Sequence, residues 1–90
     1  MKIRHYSRRY LPEIRRRLKL IIEMSHRNRL DSSYASTYEM LAEDLPHARD
    51  FNLELAASVR KRVAEQKAKI ESHKKWIEKK APGFFERIMG

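Results

Sequence analysis

The sequence predicts an all-α fold: a three-helix bundle with a short C-terminal turn and one long C-terminal helix. Three observations point there. Two glycines in 90 residues leave almost none of the punctuation that hairpins and sheets need. Apolar residues recur at three- and four-residue spacing instead of alternating. Pro and Asp/Ser clusters then cut the periodic stretches into pieces of helical length.

The first element starts at Pro12 with Glu13, because proline at the first helical position lacks only a donor that has no partner there. Ile14, Leu18, Ile21 and Ser25, with Leu11 just before, predict an amphipathic helix over 12–30. Asp31, Ser32 and Ser33 break it. Tyr34, Tyr38, Leu41 and Leu45 make a second stripe over 34–45, stopped by Pro46. Ser36 and Glu39 have capping-box spacing, which would begin that helix at Thr37. Asp50 or Asn52 can cap a third helix over 52–80, before Ala81-Pro82-Gly83. Its stripe, Ala56, Val59, Val63, Gln66, Ile70, His73 and Ile77, steps by threes and fours as a heptad does. Phe84, Phe85, Ile88 and Met89 suggest a last short turn over 83–89. At 1.5 Å per residue the third helix (~42 Å) outruns the first (~28 Å) by more than a turn. Its distal half, with Gln66 and His73, is then less buried or paired with another chain. The predicted core is Ile14, Leu18, Ile21, Tyr38, Leu41, Leu45, Leu55, Val59 and Val63.

Residues 1–90 suit a single small domain, below the common size of ~100–150 residues. Such a chain buries only ~60–65% of its unfolded surface, which leaves little room for an enzyme pocket. The absence of cysteine excludes a disulfide framework, a thiolate nucleophile and a Cys-ligated zinc. His5, His26, His47 and His73 are scattered without metal-ligand pairing, and no Gly-rich phosphate loop or nucleophile elbow is present. Glu43 and Asp44 lie side by side without an apolar pocket to split their pKa values. The expectation is a protein without catalysis, cofactor, metal or small-molecule substrate. The longest apolar run, Leu20-Ile21-Ile22, is far too short for a bilayer, and Arg4, Arg8 and Arg9 interrupt any secretory segment after Met1. The expected location is cytoplasmic. Helix 12–30 is basic and amphipathic, as membrane-surface helices are. Its apolar arc spans about 200°, against the usual ~100°, which fits packing from two sides inside a bundle or homodimer better than lipid.

Charge carries the functional signal. Lys and Arg number 21 against 12 Asp and Glu, a net +9 on a chain that is 37% ionisable. The signs are segregated: +8 over residues 1–30, −4 over 31–50 and +5 over 51–90. Arg4, Arg8, Arg9, Arg15, Arg16, Lys19 and Arg27 around the first helix, with Arg60, Lys61, Lys75 and Lys79 on the long one, are the candidate contacts. Arginine dominates the first cluster, and its planar fork suits bidentate phosphate contact. On a helical wheel Arg16, Lys19 and Arg27 lie opposite the apolar stripe, while Arg15 and Arg17 flank it. Glu13 and Glu23 are the only acids in that helix, so the cluster cannot neutralise itself. Cations at a helix start oppose the macrodipole, so local stability does not explain them. The cluster His73–Lys80 does meet a favourable dipole end, and Trp76 beside Ile77 suits a core role. Tyr6 and Tyr10 lie among the cations and could stack on unpaired bases. Residues 37–63 resemble a helix-turn-helix only loosely, since the linker Pro46–Asn52 exceeds the usual turn and lacks glycine. The pattern predicts non-catalytic binding of nucleic acid. The alternative is a small helical interaction module or inhibitor, of phage or immunity type, on an acidic surface of a partner protein.

Overall fold

The computed structural model describes the backbone of residues 2–89 and the side chains of residues 8–88. It is all-α, with no strand among the described residues, and it is a long antiparallel hairpin. Helix α1 runs Lys2–Asp44, a single 3₁₀ turn Pro46–Ala48 reverses the chain, and α2 runs Arg49–Lys80. A short α3, Phe84–Met89, follows Gly83, whose positive φ of 81° reverses the backbone after Pro82. The Gly83 N–H donates to Glu78 Oε1 at 2.6 Å, and Phe84 N–H to the Ala81 carbonyl at 3.0 Å.

The break predicted at Asp31-Ser32-Ser33 does not occur, so the helices 12–30 and 34–45 are one. Asp31 faces α2, where its carboxylate accepts from Arg62 Nε at 3.3 Å and from Gln66 Nε2 at 3.2 Å. Asp and Ser disfavour a helix interior by only ~0.5 kcal/mol each, and two cross-hairpin partners outweigh that. The expected cap at Ser36 is likewise absent: the helix runs through, and Thr37 Oγ1 donates back to the Ser33 carbonyl at 3.0 Å. Pro12 lies inside α1 and not at its start. It sits on an exposed face, where water can serve the Arg8 carbonyl that proline leaves unbonded. Helix α2 starts three residues before the expected 52, capped by no side chain; Asn52 is buried and donates to the Ala48 carbonyl at 3.1 Å. Its predicted end at Lys80 is observed.

The hairpin therefore replaces the three-helix bundle. With 43 residues against 32, it is α1 that outruns α2, reversing the expected overhang. The distal half of α2 is covered by α1, and Ile70 and Ile77 are buried there with Ile14, Ile21 and Ala81. The whole heptad stripe predicted for α2 faces the seam. Its counterpart on α1 is a heptad path not anticipated from sequence: Tyr10, Ile14, Arg17, Ile21, Met24, Asn28, Asp31, Ala35, Tyr38, Ala42. Contacts between Arg17 and His73 and between Asn28 and Val63 set one register, each step along α1 matched by an equal step back along α2. Only part of the predicted core is correct. Ile14 and Ile21 are buried, Leu18, Tyr38, Leu41, Leu55, Val59 and Val63 are half-buried, and Leu45 is exposed at the turn. A pair of helices gives each only one neighbour, so flanking positions keep solvent on one side.

Seam composition changes along the rod. At the open end, away from the turn, it holds the large residues Ile14, Ile21, Ile70 and Ile77. At the closed end it is small, with Ala35, Ala42 and Ala56 buried. Between them lies a polar layer of Asn28, Asp31 and Gln66, reached by Arg62 from outside; Asn28 Oδ1 and Gln66 Oε1 accept no hydrogen bond there. The result is a rod of 62 × 21 × 15 Å with a radius of gyration of 18.4 Å. A compact 90-residue chain would have ~12 Å.

Candidate functional site

The turn at Pro46–Ala48 converts a linear charge pattern into a spatial one. It lays the basic segment 8–30 beside the basic segment 61–80 and sends the acidic middle to the other end. Those two segments together carry sixteen basic and five acidic side chains, a net +11. Residues 31–60 carry two basic and six acidic, a net −4. The rod is thus a charge dipole, positive at its open end.

Three consecutive arginines there have three different fates. Arg17 points into the seam and is 19% exposed. Its Nε donates to Glu13 Oε2 at 2.9 Å, Nη1 donates to His73 Nδ1 at 3.0 Å, and the guanidinium lies 4.4 Å from the Trp76 ring centroid. Because arginine only donates, His73 Nδ1 must be the acceptor, which places the imidazole proton on Nε2 and keeps the ring neutral. Burial, with Arg17 next and Arg16 behind it, pushes the His73 pKa down, against a smaller upward pull from Glu13. Arg16 is exposed but held by Glu13, through Nε to Oε1 at 2.8 Å and Nη2 to Oε2 at 2.6 Å. Hydrogen bonding from Arg16 above all, with Arg17 adding to it, lowers the Glu13 carboxyl to about 2. Arg15 is exposed and forms no ion pair among the described residues. One carboxylate, Glu13, engages two of the three arginines, because the i+3 and i+4 positions both face it, and the cluster still keeps a net positive charge.

An aromatic lock completes the open end. Tyr10 meets Trp76 edge to face, centroids 5.9 Å apart, and Lys80 Nζ lies 5.0 Å from the centroid of the Tyr10 ring. Arg9 approaches the same ring at 5.6 Å. Tyr10 and Trp76 pack against the buried isoleucines, so Tyr10 is no free stacking platform for a base. Tyr6 and Arg4 have side chains outside the described residues. Trp76 takes the core role its position beside Ile77 suggests.

The remaining candidates surround the open end without converging on one face. Lys19 and Lys75 occupy the outermost positions of their helices and point away from each other, while Arg15 and Arg27 flank opposite sides of α1. Arg8, Arg9 and Lys79 are exposed nearer the tip, and Lys61 lies on the back of α2. Arg60 does not belong to the group: it forms a two-pronged pair with Glu39, at 2.8 and 2.7 Å, in the acidic half. Residues 37–63 make no helix-turn-helix, since α1 and α2 fold back antiparallel instead of crossing. Sequence reasoning missed Arg62 and the polar layer. Continuing the Ile14–Ile21 spacing by sevens to Asn28, Ala35 and Ala42 would have shown the seam passing beside Asp31. Among the described residues no group of His, Asp and Glu could hold a metal, and no helix is long and apolar enough to cross a membrane. Compared with family models, curated proteins and solved structures, the chain shows no match.

Proposed function

We propose that the chain is a non-catalytic nucleic-acid-binding protein that grips phosphate backbone with its open end. The observation that carries this reading is the gathering of two basic segments, distant in sequence, into one +11 end. Among the described residues, Arg15, Lys19, Arg27, Lys75 and Lys79 are exposed and form no ion pair within the chain. Exposed cations of one sign repel each other, so a phosphate partner relieves what the folded chain leaves unbalanced. The rod's 21 × 15 Å cross-section is too broad for a major groove of about 12 Å. Contact is therefore to backbone, with sequence-independent, salt-dependent affinity.

Titration of labelled DNA and RNA at several salt concentrations tests this. Four phosphate contacts on a duplex give a slope of log Kobs against log[salt] near about −3.6. Arg15→Glu combined with Lys19→Glu and Lys75→Glu should weaken binding at least tenfold, with stability changed by under ~1 kcal/mol, as for exposed charges. Micromolar or weaker binding that is flat in salt would overturn the reading and favour an acidic protein surface as the partner.

A further inference from the structure

The closed half of the hairpin is built inside out for a molecule that stands alone. Its seam buries the small residues Ala35, Ala42 and Ala56 beside half-buried Tyr38 and Val59, whereas Leu30, Tyr34 and Phe51 are 59%, 56% and 64% exposed. Leu30, Tyr34 and Leu41 stand four and seven residues apart, one stripe on α1, and Phe51 and Leu55 form the matching stripe on α2. The Glu39–Arg60 pair marks the opposite flank of the hairpin, so both stripes share the other one. Filling the stripe positions between these residues are Thr37 and Ser58, so no Lys, Arg, Asp or Glu interrupts the stripe over residues 30–41 of α1 or 51–58 of α2, in a chain that is 37% charged. On α1 its borders are charged with opposite sign: Arg27 toward the open end and Asp44 at the turn.

We infer that this flank is the contact surface for a second copy of the chain, laid antiparallel across a two-fold axis. The antiparallel sense follows from the borders. It places Arg27 of each copy opposite Asp44 of the other, and Leu30 opposite Leu41, whereas a parallel pairing sets the +11 ends side by side. From residue 27 to 44 the strip is ~25 Å long at 1.5 Å per residue. Across the 21 Å width of the rod it covers ~500 Å² per copy, or ~1,000 Å² in all, the size at which specific interfaces begin. The chain exposes 7217 Å², against ~5,500 Å² for a compact monomer of its mass. A four-helix arrangement covers part of that excess and projects the two basic ends in opposite directions.

The inference is independent of the nucleic-acid reading, and sedimentation equilibrium without nucleic acid tests it alone. At ~10–100 μM, where specific pairs of this size are populated, the expected mass is twice the 10.8 kDa of one chain. Tyr34→Glu with Phe51→Glu should return the single-chain mass with helical circular dichroism unchanged. Met40→Glu, on the back of α1, should leave the dimer intact. Because the chain has no cysteine, orientation can be read by cross-linking with a short bismaleimide. A mixture of Arg27→Cys and Asp44→Cys chains should link to each other and neither to itself. A single-chain mass throughout, a dimer that survives the double substitution, or Arg27→Cys chains linking to themselves would each overturn it.

Discussion

Ile77→Ala is the sharpest probe of the seam. Ile77 is 0% exposed and lies in the open-end cluster with Ile14, also 0% exposed. Truncation removes three carbons, worth ~2.4 kcal/mol of lost transfer energy at ~0.8 kcal/mol each. An unrelaxed cavity adds to this, and the observed range for such changes is ~2–5 kcal/mol. The seam is narrow, with only one opposing helix, so partial collapse of Ile14 and Tyr10 keeps the total near ~3 kcal/mol. A chain of 90 residues has a total stability of only ~5–13 kcal/mol, so the loss is a large fraction of it. The expected fall in melting temperature is ~15 °C. The assay is urea and thermal unfolding by circular dichroism at one fixed protein concentration, since any association would move the midpoint. Ile22→Ala supplies the contrast: the same chemical change at a site 57% exposed should cost less than ~1 kcal/mol. The double variant Ile14→Ala with Ile77→Ala should fall short of the sum, because the two sites share one cavity. Equal effects at Ile22 and Ile77, or strict additivity of Ile14 and Ile77, would refute the hairpin register.

Two further outcomes follow from the polar groups in the seam. His73 is held neutral, with its pKa below the ordinary 6.5, so the unfolded chain binds the extra proton first. The stability this gives is fully present above pH 6.5 and declines as pH falls through that value toward the folded pKa. His73→Gln should flatten the slope of urea midpoint against pH between about 7.5 and 5.5. Arg17, Arg16 and Glu13 face the imidazole; Glu13, lowered to about 2, adds its own decline only below 4.5, so the two windows separate. An unchanged slope in His73→Gln would show that another group sets it. Asn28→Leu removes a buried acceptor that lacks a hydrogen bond and should raise stability by ~1 kcal/mol or more, read as a higher urea midpoint. A loss of stability there would show that the polar layer contributes more than its unpaired atoms cost.

Helical class, the extent of α2 to Lys80, its seam-facing stripe and the stop at Ala81-Pro82-Gly83 were legible in the sequence. Each depends on neighbours within a turn or two, where period, cap and breaker act directly. So was the alternation of charge along the chain. What local signals misread was the segment 31–33. Asp31, Ser32 and Ser33 argue for a break with energies below a kilocalorie per residue, while the groups that keep Asp31 helical, Arg62 and Gln66, arrive from thirty or more positions away. Once α1 is continuous, its length, the overhang and the burial of Ile70 and Ile77 all follow. The candidate site divides in the same way. That Arg15, Arg16 and Arg17 fan around a helix is sequence geometry. That Glu13 reaches Arg16 and Arg17 one turn on is sequence geometry too, whereas the burial of Arg17 against Trp76 and His73 is decided by what α2 sets opposite it. Composition set the net charge of +9, but only the antiparallel fold made it a dipole, because chain reversal at Pro46–Ala48 is what places residues 8–30 beside residues 61–80.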